Sequence, residues 1–555
     1  MRSEECADTI LSNGRIITAD PKNPRAEAIA IHQGKILRVG TIEEVKRTAG
    51  KSTVVKNLAG MTVVPGFIES HNHTLVFGLN LNGVDLSQVR SIPEMIDRLQ
   101  ARASQQDEES WVLGVGYNQH ELKEKRHPTR WDLDQITTRH PIAIKHTSAH
   151  ARVVNSRALG LAKITKETSD PEGGRIDRDE KTGEPTGVLF QFSAMNLVDQ
   201  LLPKPSDEDL LAALRMANRI LLSQGITSAV DAGTNLVDIP TYLKAFKVAV
   251  GEEILKIRHT LAIRSELLLD YNRLKEELRD LEEKLRSFGL HPRQGDETLR
   301  IGLFKCIPDG AISTATAATY APYGADPRRS SKGELMIPPE ALSEVTMAAH
   351  RLGFQLMIHA IGDRAIDAAI DAIDQALQAF PRSDPRPRIE HCVMVSPQAI
   401  RKIKKLGIVA VTQPAFLWGL GDNWMSQLGR ERAIKLQPFR TFLDHGVRMA
   451  FSSDRPVVNG APLLGIHAAV NRKSMNGTDF APEQRVTPEE ALRCYTLDGA
   501  YATFEESIKG SIEVGKLADL VVLSEDLTAV EPENIRKIEV IATMVGGQFC
   551  HGDWP

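Results

Sequence analysis

"VVPGFIESHNHTLVFGLN", residues 63–80, begins like a buried strand and ends in groups that a sheet core does not favour. Val63, Val64, Phe67 and Ile68 are apolar, and they place a first core strand over 63–68. Glu69, His71, Asn72 and His73 then arrive together. Residues i and i+2 of an extended chain point the same way, so His71 and His73 would offer two imidazoles from one side. A lone His-x-His is a weak signal, and its weight depends on what the rest of the chain brings beside it.

Seven more short apolar runs follow: 226–231, 256–262, 299–305, 354–359, 387–391, 408–413 and 448–453. Each is followed by a loop and helical patterning. The clearest unit starts after His359, where Ile366, Ala369, Ile370, Ile373 and Leu377 recur at helical spacing and Asp363 is placed to cap the start. Eight strands alternating with helices argue for an α/β fold, a (β/α)8 TIM barrel. An open doubly wound sheet is the rival, but no glycine-rich phosphate loop follows the first strand.

The flanks read differently. The first sixty residues alternate in short runs around Asn13-Gly14 and Gln33-Gly34, as hairpins do, and the tail repeats the style around Gly546-Gly547. Each terminal β segment alone would carry an open edge, so the two are expected to pair. The division is therefore 1–62 plus 505–555 as a composite β-sandwich, 63–504 as the barrel, and 75–225 as an inserted α+β subdomain covering its mouth. Residues 264–289 read as a charged amphipathic helix with Leu274, Leu278, Leu281 and Leu285 in a narrow stripe. A surface helix of the barrel and a coiled-coil partner site both fit that stripe.

The chain has 555 residues, 42% hydrophobic and 25% charged, with a net charge of -4. That balance gives no reason to expect nucleic acid or an anionic membrane as partner. No apolar run approaches the roughly 20 residues of a membrane span. The N-terminus lacks the apolar core of a signal peptide, and five scattered cysteines form no metal or disulfide pattern. The expectation is a cytoplasmic protein acting on a small molecule. Oligomeric state stays open, a homodimer being the commonest arrangement generally.

Residues of ligand type end five of the eight strands: His71 and His73 on the first, Lys305 on the fourth, His359 on the fifth, His391 on the sixth, and Asp454 just past the eighth. Strand C-termini are where barrels build active sites. Four imidazoles suit zinc and its neighbours, and Asp454 adds a carboxylate. Lys305 is the puzzle, since an ammonium repels a metal ion. A desolvated lysine loses its proton more easily, and a neutral amine can take up carbon dioxide to give a bridging carbamate. A salt-bridged lysine explains the position as well. Lys145, in the insertion, is a rival for that modified lysine.

"VVPGFIESHNH", "FKCIPDGAIST", "LMIHAIGDRA", "RIEHC", "TQPAF", "AFSSDRPV" and "GSIEVGKLADLVVL" together resemble the amidohydrolase superfamily, in the branch of N-substituted formamide deformylases and related metal-dependent hydrolases. The resemblance extends through "TSAHARVVNSRALG" and "EPTGVLF" in the insertion. It implies a barrel with a composite sandwich and, usually, a two-metal centre. By position it implies His71, His73 and Asp454 at a first metal, Lys305 as the carboxylated bridge, and His359 and His391 at a second. One or two zinc ions per chain are expected, another divalent metal being open. Gln191 departs from the pattern, since relatives often carry an acid there.

The implied reaction is hydrolysis of a C–N bond in an amide, formamide or cyclic amide by metal-activated hydroxide, with Asp454 shuttling the proton. His150 is expected to donate to the substrate oxyanion, and Tyr117, Gln413, Trp418 and Arg455 to touch substrate. Phe416 and Trp424 suggest an apolar flank. Two alternatives remain: a deaminase on the same scaffold, against which "AIGDRA" counts because no Glu follows His359 closely, and a non-catalytic regulatory protein, against which the six retained positions count.

Overall fold

The apolar runs become a nearly closed parallel barrel in the computed structural model, which describes residues 6–552 apart from 108, 138, 172, 234–236, 266–273 and 325–330. The strands are β1 Phe67–Asn72, β2 Ile226–Asp231, β3 Arg258–Arg264, β4 Leu299–Cys306, β5 Gln355–Ala360, β6 Arg388–His391, β7 Val409–Thr412 and β8 Met449–Phe451. Neighbours in chain order pair in parallel register from β1 to β8. Among the described residues no strand ladder joins β8 back to β1. That joint is closed instead by the segment after β8. Asp454 N donates to His71 O at 2.8 Å, and His73 N donates to Arg455 O at 2.9 Å. Ser453 N donates to the Glu69 carboxylate at 2.8 Å.

The opening run is not one strand. Thr62–Pro65 lies in a different sheet, antiparallel to Leu520–Leu523 and parallel to Arg15–Ile17. The barrel strand begins at Phe67 and runs to Asn72, four residues past the expected end at 68. Gly66 is the joint, and it must be glycine. Its N–H donates to Asp519 O at 2.8 Å, and a Cβ there would meet Thr227 Oγ1 at 2.1 Å.

Two terminal sheets face each other. One holds Ala7–Ser12, Ala28–His32, Lys35–Gly40 and Ala49–Asn57; the other mixes Arg15–Ile17, Arg25–Ala26 and Thr62–Pro65 with Leu520–Leu523, Val540–Val545 and Gln548–His551. Leu11, Ile29 and Ile31 of the first pack with Val63, Leu520 and Met544 of the second. Gln33-Gly34 and Gly546-Gly547 make the expected hairpins, each with positive φ at both positions as the tightest such turn requires. Asn13-Gly14 does not: its flanking strands go to different sheets, so it is a crossover.

Residues between β1 and β2 add a six-stranded sheet built from Val84–Asp85, Val112–Tyr117, Ile142–His146, Ala151–Val154, Arg175–Arg178 and Pro185–Phe190. Thr147 Oγ1 donates to Val457 O at 2.7 Å, tying the turn after Ile142–His146 to the loop after β8.

The helix after β5 spans Asp363–Ala379 and buries Ile366, Ala369, Ile370 and Ile373 completely. Its N-cap is Gly362, one residue before the expected Asp363. Asp309, from the loop after β4, accepts from Ile361 N, Gly362 N and Ala318 N, satisfying the helix entrance from outside. A Cβ on Gly362 would sit 1.9 Å from Ala318 O. Leu274–Ser287 forms the charged helix, with Leu281 and Leu285 in the barrel's apolar cluster. The leucine stripe is therefore inward packing rather than a partner site; positions 266–273 lie outside the described residues. Among the described residues no helix is long and apolar enough to cross a membrane.

Candidate metal centre and cavity

Four imidazoles, a lysine and a carboxylate converge at the C-terminal rim, and hydrogen bonds fix the protonation of each ring. His71 Nδ1–H donates to the buried Glu390 carboxylate. His73 Nδ1–H donates to Gly233 O at 2.8 Å. Both rings turn Nε2 toward Asp454 Oδ1, at 3.3 and 3.4 Å. His391 Nδ1–H donates to Gln413 Oε1 at 2.9 Å, which leaves its Nε2 lone pair. His359 is reversed: Nε2–H donates to Gly310 O at 3.1 Å, and Nδ1 carries the lone pair. The His359 and His391 ring centroids are 4.4 Å apart, and those of His71 and His391 are 5.0 Å apart.

A metal site needs such rings, each anchored through one nitrogen by a hydrogen bond and gathered at one rim. His71, His73 and Asp454 offer ligand atoms within 4.8 Å of one another, so the residues fit a bound cation. Burial holds the His73 and His391 imidazoles below their usual range, which keeps them neutral. Burial pushes the Asp454 carboxyl up, but positive charge and donated protons on the His71 and His73 rings hold it well below its ordinary value, a role that a bound cation would take over. His391 (φ 70°) and Asp454 (φ 55°) both adopt the left-handed conformation as their strands end, a strain of the kind found at functional sites.

Lys305 is 1% exposed, and its Nζ lies 3.2 Å from His71 Nε2. Burial lowers its ammonium to about 8. Lys145 is lowered to about 8 by burial as well, but it stands on the insertion sheet rather than against His71.

Sequence reading assigned no role to three carboxylates, of which it had noticed Glu69 alone. Glu390 is clamped by Arg388 through Nε at 2.8 Å and Nη2 at 3.0 Å, and both side chains are 0% exposed. Burial opposes its ionisation, but Arg388 and His71 hold it at about 2. Glu69 closes the barrel joint, and burial raises it to about 7. Asp309 ties the entrance of the helix after β5 and lies 3.3 Å from His359 Nε2. For Glu390 the available signal was the charged Arg388-x-Glu390 pair directly before His391.

The expected substrate contacts separate. A cavity of about 490 Å³ opens on the site, lined by His71, His73, His150, Lys305, His391, Asp454 and Arg455 among others. Arg455 lies over Phe77 with its guanidinium carbon 4.6 Å from the ring centre. His150 Nδ1 faces Gln191 Oε1 at 2.8 Å, and its ring centroid is 5.7 Å from that of His359. Burial lowers this imidazole to about 3, so it is neutral. Which end of the Gln191 amide faces it then decides whether His150 Nε2 accepts or donates. Gln413 is fully buried and orients His391 rather than facing the cavity. Tyr117 is also outside it, buried in the insertion core with its hydroxyl bonded to His127 Nδ1 at 2.9 Å. Trp418 packs between His467 and Arg536, away from the rim. Phe416 and Trp424 line a small apolar side cavity beside His150, His359 and Asp454.

Known proteins share this frame. The model of the amidohydrolase family matches residues 54–551. Protein LONG AFTER FAR-RED 3 of Arabidopsis thaliana is 32% identical over 98% of this chain and 91% of its own. N-substituted formamide deformylase of Arthrobacter pascens is 29% identical over 97% of each chain. The crystal structure of an uncharacterized metal-dependent hydrolase from Pyrococcus horikoshii superposes with a TM-score of 0.73 at 28% identity, covering 94% of this chain and 99% of that one. With a family match over most of its length and relatives aligned end to end, this chain belongs to the amidohydrolase family.

Proposed function

We propose that the protein hydrolyses a C–N bond in a small amide, formamide or cyclic amide, using zinc held by His71, His73 and Asp454, with His359 and His391 serving a second ion. The observation that carries this reading is the set of four imidazoles at one rim, each anchored through one ring nitrogen so that the other is left for a metal. Similarity to the Arthrobacter deformylase supports a formamide among the bonds named. A bound divalent ion supplies Lewis acidity and brings the pKa of its water to about 7.

The chain's own groups do the rest. Asp454, ionised and aimed at the rim, accepts the proton of the attacking water and returns it to the departing nitrogen. An amide nitrogen leaves poorly unless protonated, so this return is essential. His150 lines the cavity beside His359; with the Gln191 amide turned so that its NH2 faces Nδ1, the neutral ring would carry its proton on Nε2 and donate it to the oxygen that gains charge. Lys305, with its ammonium lowered to about 8, would supply neutral amine to add carbon dioxide with loss of a proton, and the resulting carbamate would supply an anion to offset the charge of the bound ions.

The test joins metal analysis of purified protein to a screen of N-formyl, N-acyl and cyclic amides, with and without chelator. Amine release abolished by chelator and restored by zinc supports the reading. Full turnover in demetallated protein overturns it, and ammonia release from an amino-heterocycle would mark a deaminase instead.

A further inference from the structure

The small apolar side cavity and the large one share a wall. Ser148, His150, His359, Asp454 and Val457 line both, so the two spaces meet at the groups of the site. An amide whose carbonyl carbon lies beside Asp454 and His150 therefore has one end in a space of about 490 Å³ and the other in a space of about 30 Å³. The smaller space holds two or three water-sized groups, at about 10–15 Å³ each.

Its floor is assembled from the segments after four successive barrel strands. Phe416, Leu420 and Trp424 recur every four residues along the helix Ala415–Leu428 that follows β7, so they share one face. Phe416 stacks on His391 with the planes 10° apart and the centroids at 6.1 Å, and Trp424 meets Phe416 edge-on at 6.3 Å. Ile312 follows β4, Ile361 follows β5 and Val393 follows β6, and all three are buried. None of these six side chains offers a ligand atom to a metal ion. The floor therefore suits a short hydrocarbon.

The reaction decides which end of the amide enters. Hydrolysis joins the water oxygen to the acyl carbon and breaks the C–N bond. Both water protons end on nitrogen, and an acid and an ammonium leave. The nitrogen end thus carries an N–H before cleavage and a positive charge after it, and both are costly to bury without a partner. Ser148 Oγ, a polar atom of the small cavity's lining, is already bonded to His146 Nδ1 at 2.8 Å. The chain on the acyl carbon carries no polar group and needs no partner.

We propose that the small cavity is an acyl-chain pocket sized for a methyl or ethyl group, so that the substrate is the acetyl or propionyl amide of a larger amine whose body fills the 490 Å³ cavity. The proposal rests on the C–N hydrolase reading for the reaction, and on the side cavity alone for the chain length.

The test uses metal-loaded full-length protein and two series. The N-benzyl amides of formic, acetic, propionic, butyric and hexanoic acid are followed by benzylamine release, each rate divided by that amide's own rate of alkaline hydrolysis. The free acids are ranked by thermal shift, a binding readout that needs no turnover. Each carbon that fills the pocket should gain about fourfold. Both series are expected to peak at two or three carbons and to fall about tenfold or more by six, where the chain overfills the space. Leu420→Ala deepens the floor and should move the peak toward the butyryl and hexanoyl members. A wild-type peak at formyl, a flat profile, or a gain that continues to hexanoyl overturns the pocket, and so does a Leu420→Ala profile identical to wild type. Cleavage of N-methylphenylacetamide in preference to N-benzylacetamide overturns it as well, by putting the nitrogen end in the small space. The wild-type profiles need no variant to fold. Acids that peak as expected while no amide is cleaved overturn the C–N reading and leave the pocket standing; no acid bound at tens of millimolar and no amide cleaved overturns both.

Discussion

Replacing Glu390 with Gln removes one charge from a place where no water can compensate. Arg388 and Glu390 are both 0% exposed, and Arg388 divides its donors between that carboxylate and Ser70 O at 2.7 Å. Breaking a buried ion pair by removing one partner costs about 3–5 kcal/mol, because the other charge is left behind. Gln keeps one acceptor oxygen for Arg388, which puts the expected loss near the lower end, about 3 kcal/mol. A fold of ordinary stability, about 5–15 kcal/mol, survives that. The second effect falls on His71. Its Nδ1–H now donates to the Glu390 carboxylate, which fixes the ring and raises the basicity of Nε2. A neutral amide does this less well, and losing such a partner weakens metal binding about 10–100-fold. Urea denaturation of metal-free wild type and Glu390→Gln measures the first effect, and zinc competition with a chromogenic chelator measures the second. A stability loss near 3 kcal/mol with zinc affinity unchanged within about twofold would refute the coupling of Glu390 to the metal through His71, leaving the carboxylate a partner of Arg388 alone.

Asp454→Asn should lower kcat by about 10²–10⁴-fold while KM changes little, read in steady-state kinetics on whichever amide the screen identifies; a fall under tenfold would remove Asp454 from the proton path. Gln191→Glu leaves only acceptors opposite His150 Nδ1, pinning the proton there and baring Nε2. If His150 donates to the developing oxyanion, kcat should drop at least tenfold with thermal stability kept, and an unchanged kcat sinks that role. Leu281→Ala, on the charged helix, should cost about 2–5 kcal/mol in chemical denaturation because Leu281 is 1% exposed in the barrel's apolar cluster; a loss under 1 kcal/mol would mean the helix packs only loosely.

Barrel strands were legible because parallel strands buried on both faces read as continuous apolar runs. Their chemistry was legible because His71, His73, His359, His391 and Asp454 interrupt those runs at one end. What periodicity could not show is where a single run changes sheets. Residues 63–68 look continuous, and only the approach of Thr227 to Gly66 reveals the break. Aromatic residues misled for a related reason. Tyr117 and Trp418 are equally good core residues and substrate contacts, and their fate was set by His127, His467 and Arg536, distant partners that no local pattern announces. Gln413 was correctly tied to the end of β7, yet it holds the back of His391 rather than facing the cavity. Glu390 sits beside His391 in sequence and acts on His71, 319 positions away.

The barrel joint sets an order of events during synthesis. Glu69 and Ser453, which close it, are 384 positions apart in the chain. At the ordinary pace of translation, about 5–20 residues per second, roughly 20–80 s separate their appearance. Through that interval His71 and His73 exist without Asp454, and the sheet that receives Thr62–Pro65 lacks Leu520–Leu523. The His71–His73–Asp454 set is therefore complete only once the segment after β8 has been made. A truncated product ending before β8 would carry the histidines without their carboxylate.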